Sequence, residues 1–330
     1  MSGNQLASVK GASHLLQNSA GLSQGASAIL IFDNSTRSLL GAFYDAAKSL
    51  KIRLSMHEIP VAKNHGEEPP DFVSEIMSAS ESIIALTAFS FAHSKARLVA
   101  SEKGASFLSL PQFSDSLLRH PMTSLDYRAL SPLVRYFSDA FTAGSQARLS
   151  NAAGTDLVFN LEGRTGNYCP AFISEPGQIA SPPDVEANVS PREYQSEGIA
   201  VVDGSITHPT IGILRTPVRI TFERGYATSF ESEDALVQES LSEIFEGKDK
   251  KRRILAELGI GLNPLAELTG VMLSDEGTLG TAHLGLGSNF SVGGKNQVDF
   301  HLDFVIRDVC LWVDDNRLIK HGTVIGGLQR

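Results

Sequence analysis

The chain has 330 residues, 42% of them hydrophobic and 20% charged, which is ordinary for a globular protein and enough for two domains. Its net charge of −9 argues against binding to nucleic acid or to an anionic membrane surface, and no apolar run approaches the ~18 residues of a membrane span. Two cysteines, Cys169 and Cys310, are too few for a disulfide framework, and the N-terminus lacks a signal-peptide pattern, so we expect a cytoplasmic protein.

The first half of the chain alternates between strand and helix patterns. Short apolar runs predict strands over residues 28–32, 52–59, 82–88 and 106–110. Helical spacing and capping residues predict helices over residues 36–50, 69–79 and 94–103. This order predicts a doubly wound, mainly parallel sheet, whose ligands gather at the carboxyl ends of its strands. No G-x-G-x-x-G follows the first strand, which argues against a dinucleotide site.

The pattern changes after a longer helix predicted over residues 130–148. Strands are predicted over residues 156–161, 199–203 and 218–222 and a helix over 232–247, while residues 163–198 are rich in Gly, Pro, Ser and Asn. We therefore predict an α/β doubly wound domain over residues 1–150, followed by an α+β domain over residues 151–330.

Side chains that could hold a metal gather in the second half of the chain. Residues 257–303 contain two histidines, six carboxylates and nine glycines; the candidate residues among them are Glu257, Asp275, Glu276, His283, His301 and Asp303. The glycines indicate tight turns or close backbone approach. On a strand, His301 and Asp303 would point to the same face, and imidazole with carboxylate suits Zn, Mn, Fe or Co. A surface hydrogen-bonded pair is the simpler interpretation of H-x-D alone, but the whole cluster favours a metal site.

Four stretches carry a resemblance to known families: PDVEANVSP at 183–191, AELGIGLNP at 256–264, DEGTLGTAHLGLG at 275–287 and GGKNQVDFHLDFVI at 293–306. Through them, residues 183–322 resemble the aminopeptidase T family of metallo-aminopeptidases (the thermophilic leucyl aminopeptidase group). The same residues are similar to the related 2,5-dihydroxypyridine 5,6-dioxygenases. Over the first 150 residues the resemblance rests mostly on the α/β pattern.

The aminopeptidase resemblance implies two divalent ions, Zn, Co or Mn, held by five residues: Glu186, Glu257, His283, His301 and Asp303. Glu257 is also the candidate acid/base carboxylate, and Asp275-Glu276 are interpreted as a turn and an outer pair that does not bind the metal. The implied reaction is attack by a metal-activated water on an N-terminal peptide bond or a small-molecule amide. A small-molecule or short-peptide substrate and a homodimer are expected. Val185 stands where this family usually has Gly, and Phe290 where it has a tyrosine, so the hydroxyl that could donate a proton is absent.

The dioxygenase resemblance implies a different centre, with one Fe(II) held by His283, His301 and Asp303 and with ring opening of a hydroxypyridine as the reaction. His93, which follows the third predicted strand, would then be a catalytic acid/base or hydrogen-bonding group beside the substrate; a core or helix-capping histidine is the simpler interpretation of that residue alone. A third alternative is a metal-binding protein without turnover. In each case we expect the site in the cleft between the domains.

Overall fold

The structure is a computed structural model and describes residues 3–325. In chain order, the helices α1 to α8 are Gly3–His14, Leu40–Leu50, Asp71–Ser78, Lys95–Glu102, Asp115–Arg119, Tyr127–Ala143, Ala235–Phe245 and Met272–Glu276. Short 3-10 turns lie at Arg37–Leu39, Pro121–Ser124, Lys250–Arg253 and Phe290–Val292, and a π-helical turn at Leu15–Ser19.

The strands β1 to β20 are, in chain order, Ser27–Phe32, Arg53–Glu58, Ser82–Leu86, Ser106–Ser109, Gln146–Ser150, Asp156–Asn160, Asn167–Cys169, Ile179–Ala180, Glu186–Val189, Glu197–Val202, Ser205–Ile206, Gly212–Ile213, Val218–Glu223, Tyr226–Ser232, Leu255–Gly261, Ala282–Gly287, His301–Ile306, Cys310–Val313, Asn316–Lys320 and Thr323–Val324. These elements form two compact units, one of residues 3–128 and 171–183, the other of residues 129–170 and 184–325. One boundary at residue 150 was predicted from the sequence, whereas each of these units consists of two separate segments of the chain. The boundary between the two functional domains stays a prediction.

The first unit contains a parallel sheet with the strand order β2-β1-β3-β4-β8. Apolar runs such as SAILIF in β1 are buried along nearly their whole length, as expected for strands covered on both faces. Its core lies between the sheet and the helices that follow the strands; members include Ile29, Ile31, Val73, Met77, Ala100 and Phe107. The doubly wound α/β fold class predicted for this part of the chain is thus confirmed.

The second unit contains two antiparallel sheets. One has eight strands in the order β14-β13-β10-β6-β5-β18-β19-β20, and the other has seven in the order β12-β11-β17-β16-β15-β9-β7. Helix α7 begins at an N-cap, where Asp234 accepts from the backbone N–H groups of Leu236 and Val237. The seven-stranded sheet carries every one of the predicted metal ligands, all on its central strands.

The C-terminal end of one predicted helix is wrong. The helix predicted over residues 130–148 ends at Ala143, and Gln146–Ser150 is strand β5, paired with β6 and β18. Three short strands in the Gly- and Pro-rich stretch, β7, β8 and β9, were not predicted from the sequence. Among the described residues, no helix combines the length and apolar character that crossing a membrane requires.

Candidate metal centre

Each candidate ligand is paired, in the register of the seven-stranded sheet, with a glycine on a neighbouring strand. The pairs are Glu186–Gly261, Glu257–Gly285, His283–Gly259, Asp303–Gly285 and His301–Gly287. Because side chains alternate between faces with a period of two, these registers bring the ligand side chains onto one face. The prediction that His301 and Asp303 share one face of a strand is confirmed by their positions in β17 and by their contact.

Two of these glycines leave the space that the ligands occupy. A Cβ added to Gly259 would lie 1.9 Å from Nε2 of His283. A Cβ added to Gly285 would lie 2.8 Å from Cβ of Glu257 and 2.8 Å from Nε2 of His301. Any larger residue at these positions would displace a candidate ligand, so the glycines of β15 and β16 form part of the site.

Glu257 lies between the two histidines. Nε2 of His283 is 2.9 Å from Oε2 of Glu186 and 3.8 Å from Oε1 of Glu257. Nε2 of His301 is 3.6 Å from Oε2 of Glu257 and 3.2 Å from Oδ1 of Asp303. Glu186, Glu257 and His283 each offer a ligand atom within 4.8 Å of the others, which makes them the trio best placed to share one ion.

Neighbouring polar groups orient these side chains. Asn188 Nδ2 donates to Oε1 of Glu186 at 2.7 Å, and Asn167 Nδ2 in turn donates to Oδ1 of Asn188 at 2.7 Å. The carbonyl oxygen of Ser288 lies 2.9 Å from Nδ1 of His301. A carbonyl can only accept, so Nδ1 carries a hydrogen, and Nε2 of His301 is the nitrogen that faces the carboxylates and could bind a metal once its proton is lost.

The centre holds more acidic than basic groups in its interior. Five carboxyl groups and two imidazoles lie together, nearly all of them buried: Asp184, Glu186, Glu257, Glu276, Asp303, His283 and His301. Burial raises the pKa of Glu257, and burial together with neighbouring carboxylates raises the pKa of Asp184 and of Glu276 well above the usual range. Without a metal cation, the excess negative charge of the carboxylates is neutralised by protons bound to them.

The imidazoles respond in the opposite sense to burial. Burial alone would lower the pKa of His283, but the charge of Glu186 and hydrogen bonds to Glu186 and Glu257 outweigh it and raise the pKa well above its usual range. The pKa of His301 is likewise lowered by burial and raised, by Asp303 above all, to about 9. For Asp303, burial is outweighed by His301, which holds its pKa below the usual range.

Several buried polar atoms of the centre have no hydrogen-bond partner among the residues described. They are Oδ1 of Asp184, Oε1 of Glu276 and Nδ1 of His283, whereas Oε2 of Glu186 faces Nε2 of His283 at 2.9 Å. Buried polar atoms are normally satisfied, so orphaned carboxylate oxygens beside an excess of negative charge indicate a place for a cation. Carboxylate oxygens and imidazole nitrogens suit Fe(II), Mn, Co or Zn, and the residues present therefore fit a divalent metal.

Sequence reasoning did not identify Asp184 and Cys169 near the centre, and it interpreted Glu276 as an outer residue that does not bind the metal. Asp184 was not identified, although it stands two residues before Glu186 in the PDVEANVSP stretch. Cys169 pairs in register with Glu186, and its Sγ lies 3.7 Å from Nδ2 of Asn188. Glu276 interacts with Asp303, whereas Asp275 accepts from Ser205 Oγ at 2.5 Å and from the backbone of residues 269 and 270, as expected for a turn residue.

His93 belongs to a different compact unit from the candidate metal ligands. It sits half-buried in the loop between β3 and α4, within the first unit, whereas all five candidate metal ligands belong to the second. Its predicted part in catalysis, like the ligand roles of the other five residues, stays a prediction.

Comparison with known proteins gives a consistent picture. The family model described as NicX, 2,5-dihydroxypyridine 5,6-dioxygenase, matches residues 15–326. A 2,5-dihydroxypyridine 5,6-dioxygenase from Pseudomonas putida KT2440 is 26% identical over 165 residues, 47% of this chain and 47% of that relative. The chain thus spans about half the length of the curated relative that it matches.

Two solved structures share the fold. A 2,5-dihydroxypyridine dioxygenase from Pseudomonas putida KT2440 superposes with a TM-score of 0.82 at 18% identity over 97% of both chains. Wild-type AmpT from Thermus thermophilus superposes with a TM-score of 0.72 at 14% identity, over 97% of this chain and 99% of that chain. At such identities the likeness establishes the fold alone.

Proposed function

This chain belongs to the 2,5-dihydroxypyridine 5,6-dioxygenase family, and on that premise we propose that it is a metal-dependent dioxygenase that opens the ring of a small hydroxylated aromatic or heteroaromatic compound. The observation that carries the proposal is the buried trio Glu186, Glu257 and His283 on the sheet face that the family match covers. Of the two activities expected from the sequence, the comparisons favour the dioxygenase over the aminopeptidase.

The metal in this proposal is one Fe(II) ion. Glu186, Glu257 and His283 would hold it, and His301 and Asp303 are candidates for further ligands or for a second ion beside Glu257. When bound, such an ion supplies the one-electron chemistry with O2 and the Lewis acidity that ring opening requires.

The protein's own groups hold the charges of the site in place. Asn188 fixes one oxygen of Glu186, and the Ser288 carbonyl fixes the Nδ1–H tautomer of His301. Glu257, within 4 Å of both histidines, is placed to hold or pass on a proton taken from a substrate hydroxyl. We propose His93 as a substrate-side acid/base group; a His93→Ala variant that keeps full activity would contradict that role.

The test is oxygen uptake by protein loaded anaerobically with Fe(II). We expect wild-type protein to consume one O2 per 2,5-dihydroxypyridine, with loss of the ring absorbance. Glu257→Gln should lower this rate by about 100-fold or more. Glu162→Gln is the matched control, because Glu162 is an exposed carboxylate of the same unit, and its one ion pair among residues 3–325 is with Arg192 at the surface. Iron-loaded protein that consumes no O2 with hydroxypyridine or catechol substrates would contradict the proposal.

A second candidate function is retained because of the position of Glu257. With a histidine on either side of it, and with Glu186 and Asp303 beyond them, the site offers ligands for two divalent ions, as a metal-dependent hydrolase of the aminopeptidase T kind requires. Two equivalents of Zn, Co or Mn per chain, together with release of an N-terminal residue from a peptide, would favour this candidate over the dioxygenase. Tight metal binding without either activity would favour a protein that has lost turnover.

We further propose that the protein is a homodimer that acts on a small molecule, as the aminopeptidase resemblance implies. Light scattering of the purified protein measures the mass directly. A monomer of 35.4 kDa at micromolar concentration would contradict the dimer.

A further inference from the structure

Arg97 is a buried arginine without an acidic partner among the described residues. It lies in the first turn of α4 and is only 8% exposed. Its Nε donates to the backbone carbonyl of Ala92, and neither terminal nitrogen of the guanidinium donates to a described residue. None of the ion pairs of the described chain includes Arg97.

Such an arrangement costs stability unless it serves a purpose. A guanidinium taken out of water loses its hydration, and proteins normally offset that loss with a carboxylate. Burial alone lowers the pKa of Arg97 to about 10, with no acid acting to raise it. By contrast, Arg37 and Arg119 in the same unit are more exposed than Arg97, and each forms an ion pair with a carboxylate.

The carboxylate of Glu68, at the start of α4, is bonded to the helix backbone. Glu68 caps the start of the helix, where its two carboxylate oxygens accept from the backbone N–H groups of Lys95 and Ala96. Glu68 thus provides a negative charge at the start of the helix. It forms no ion pair with Arg97, whose charge stays uncompensated. No ion pair among the described residues supplies a countercharge to Arg97.

The geometry also suits capture of an anion. The bond from Nε to Ala92 anchors one edge of the planar guanidinium, which leaves the donors of its terminal nitrogens free to bind two oxygens side by side. Arg97 follows the loop at the carboxyl end of β3, and the strand order β2-β1-β3-β4 places the reversal of the sheet between β1 and β3. This edge is where doubly wound sheets bind their ligands.

We propose that Arg97 is the anchor of an anion site in the first unit, specific for a carboxylate or phosphate group bound by its terminal nitrogens. The anion replaces the absent acidic side chain. Its source is either an organic carboxylate or an inorganic or ester phosphate, and the two are separated by experiment.

The test compares thermal unfolding of the full chain in chloride buffer with increasing acetate, maleate or inorganic phosphate. Wild-type protein should show a saturable rise in melting temperature with the anion that fits, and carboxylates and phosphate in separate titrations identify the class. Arg97→Met should abolish this rise. In the chloride buffer without added carboxylate or phosphate, Arg97→Met should melt about 2–5 °C higher than wild type, because an unpaired buried charge is replaced by an apolar side chain of similar length.

Arg37→Met is the control for removal of a positive charge, since Arg37 is exposed and paired with Glu58. It should leave the anion response unchanged. A saturable response that survives in Arg97→Met, or no response of wild-type protein to any of the three anions, would overturn the proposal. Arg97→Met that unfolds at a lower temperature than wild type in the chloride buffer without added carboxylate or phosphate would show a structural role and would also overturn the proposal.

Discussion

The substitution Gly259→Ala tests the geometry of the site without replacing any of the candidate ligands. The added Cβ would lie 1.9 Å from Nε2 of His283, whereas contacts below 3.0 Å essentially never occur and ordinary contact begins at 3.4 Å, so the imidazole or the strand must move by at least 1.1 Å, and by 1.5 Å to reach ordinary contact. A ligand displaced by more than about 1 Å loses its place in a metal site, and we expect metal affinity to fall by about 100-fold, equivalent to about 2.7 kcal/mol.

Two further glycines calibrate this prediction. At Gly285 the added Cβ would lie 2.8 Å from Glu257 and His301, so a smaller displacement and a smaller loss of affinity are expected. At Gly41, in the exposed part of α2, the added Cβ meets nothing within 4 Å, and Gly41→Ala should leave metal affinity unchanged. The affinities are measured by competition with a chromogenic chelator, and circular dichroism checks the fold. Gly259→Ala protein that is folded and binds metal as tightly as the Gly41→Ala control would refute this reasoning.

Three other predictions concern stability and ligand orientation. Metal-free protein should become less stable between about pH 5 and pH 9, because folding takes up protons at Asp184, Glu276 and His301. The two carboxyl groups make their full contribution to the free energy of unfolding below about pH 4, and His301 makes its full contribution below about pH 6.5. Each contribution is lost as the pH rises through the raised pKa of that group in the folded protein, which is about 9 for His301. Urea midpoints that rise with pH in the presence of chelator would contradict this sign. Asn188→Leu, which removes the 2.7 Å bond to Glu186, should weaken metal binding by about 10- to 100-fold in the same chelator competition, and an unchanged affinity would show that Asn188 does not orient the ligand. Phe304→Ala, at a fully buried ring stacked against Phe230, should lower the free energy of unfolding by about 3–5 kcal/mol in urea titration; a loss below about 1 kcal/mol would contradict tight packing there.

Much of the first unit could be predicted because its signals are local. The buried parallel strands are continuous apolar runs, and the helices between them begin at recognisable caps such as Ser94, whose Oγ accepts from the N–H of Arg97 at 3.2 Å. His301 and Asp303 could be placed on one face because strand alternation is also a local property. Each of these inferences needs only a few neighbouring residues.

The parts that were wrong or missed depend on partners far along the chain. The predicted helix continued past Ala143 because its apolar spacing continues into Ala147, but that residue belongs to β5, whose partner β18 begins at Cys310, 160 residues after β5 ends at Ser150. Asp184 shows no spacing signal of its own. It enters the centre only because β9, β15 and β16 pair in a particular register, and register between distant strands cannot be read from one of them.

The most direct test of the central claim, that this face of the seven-stranded sheet is a metal centre, is anomalous diffraction at the iron absorption edge from crystals of Fe(II)-loaded protein. A peak about 2.0–2.3 Å from ligand atoms of Glu257 and His283 is the predicted result. A fully loaded crystal with its iron peak elsewhere, or with none on this face, would contradict the account.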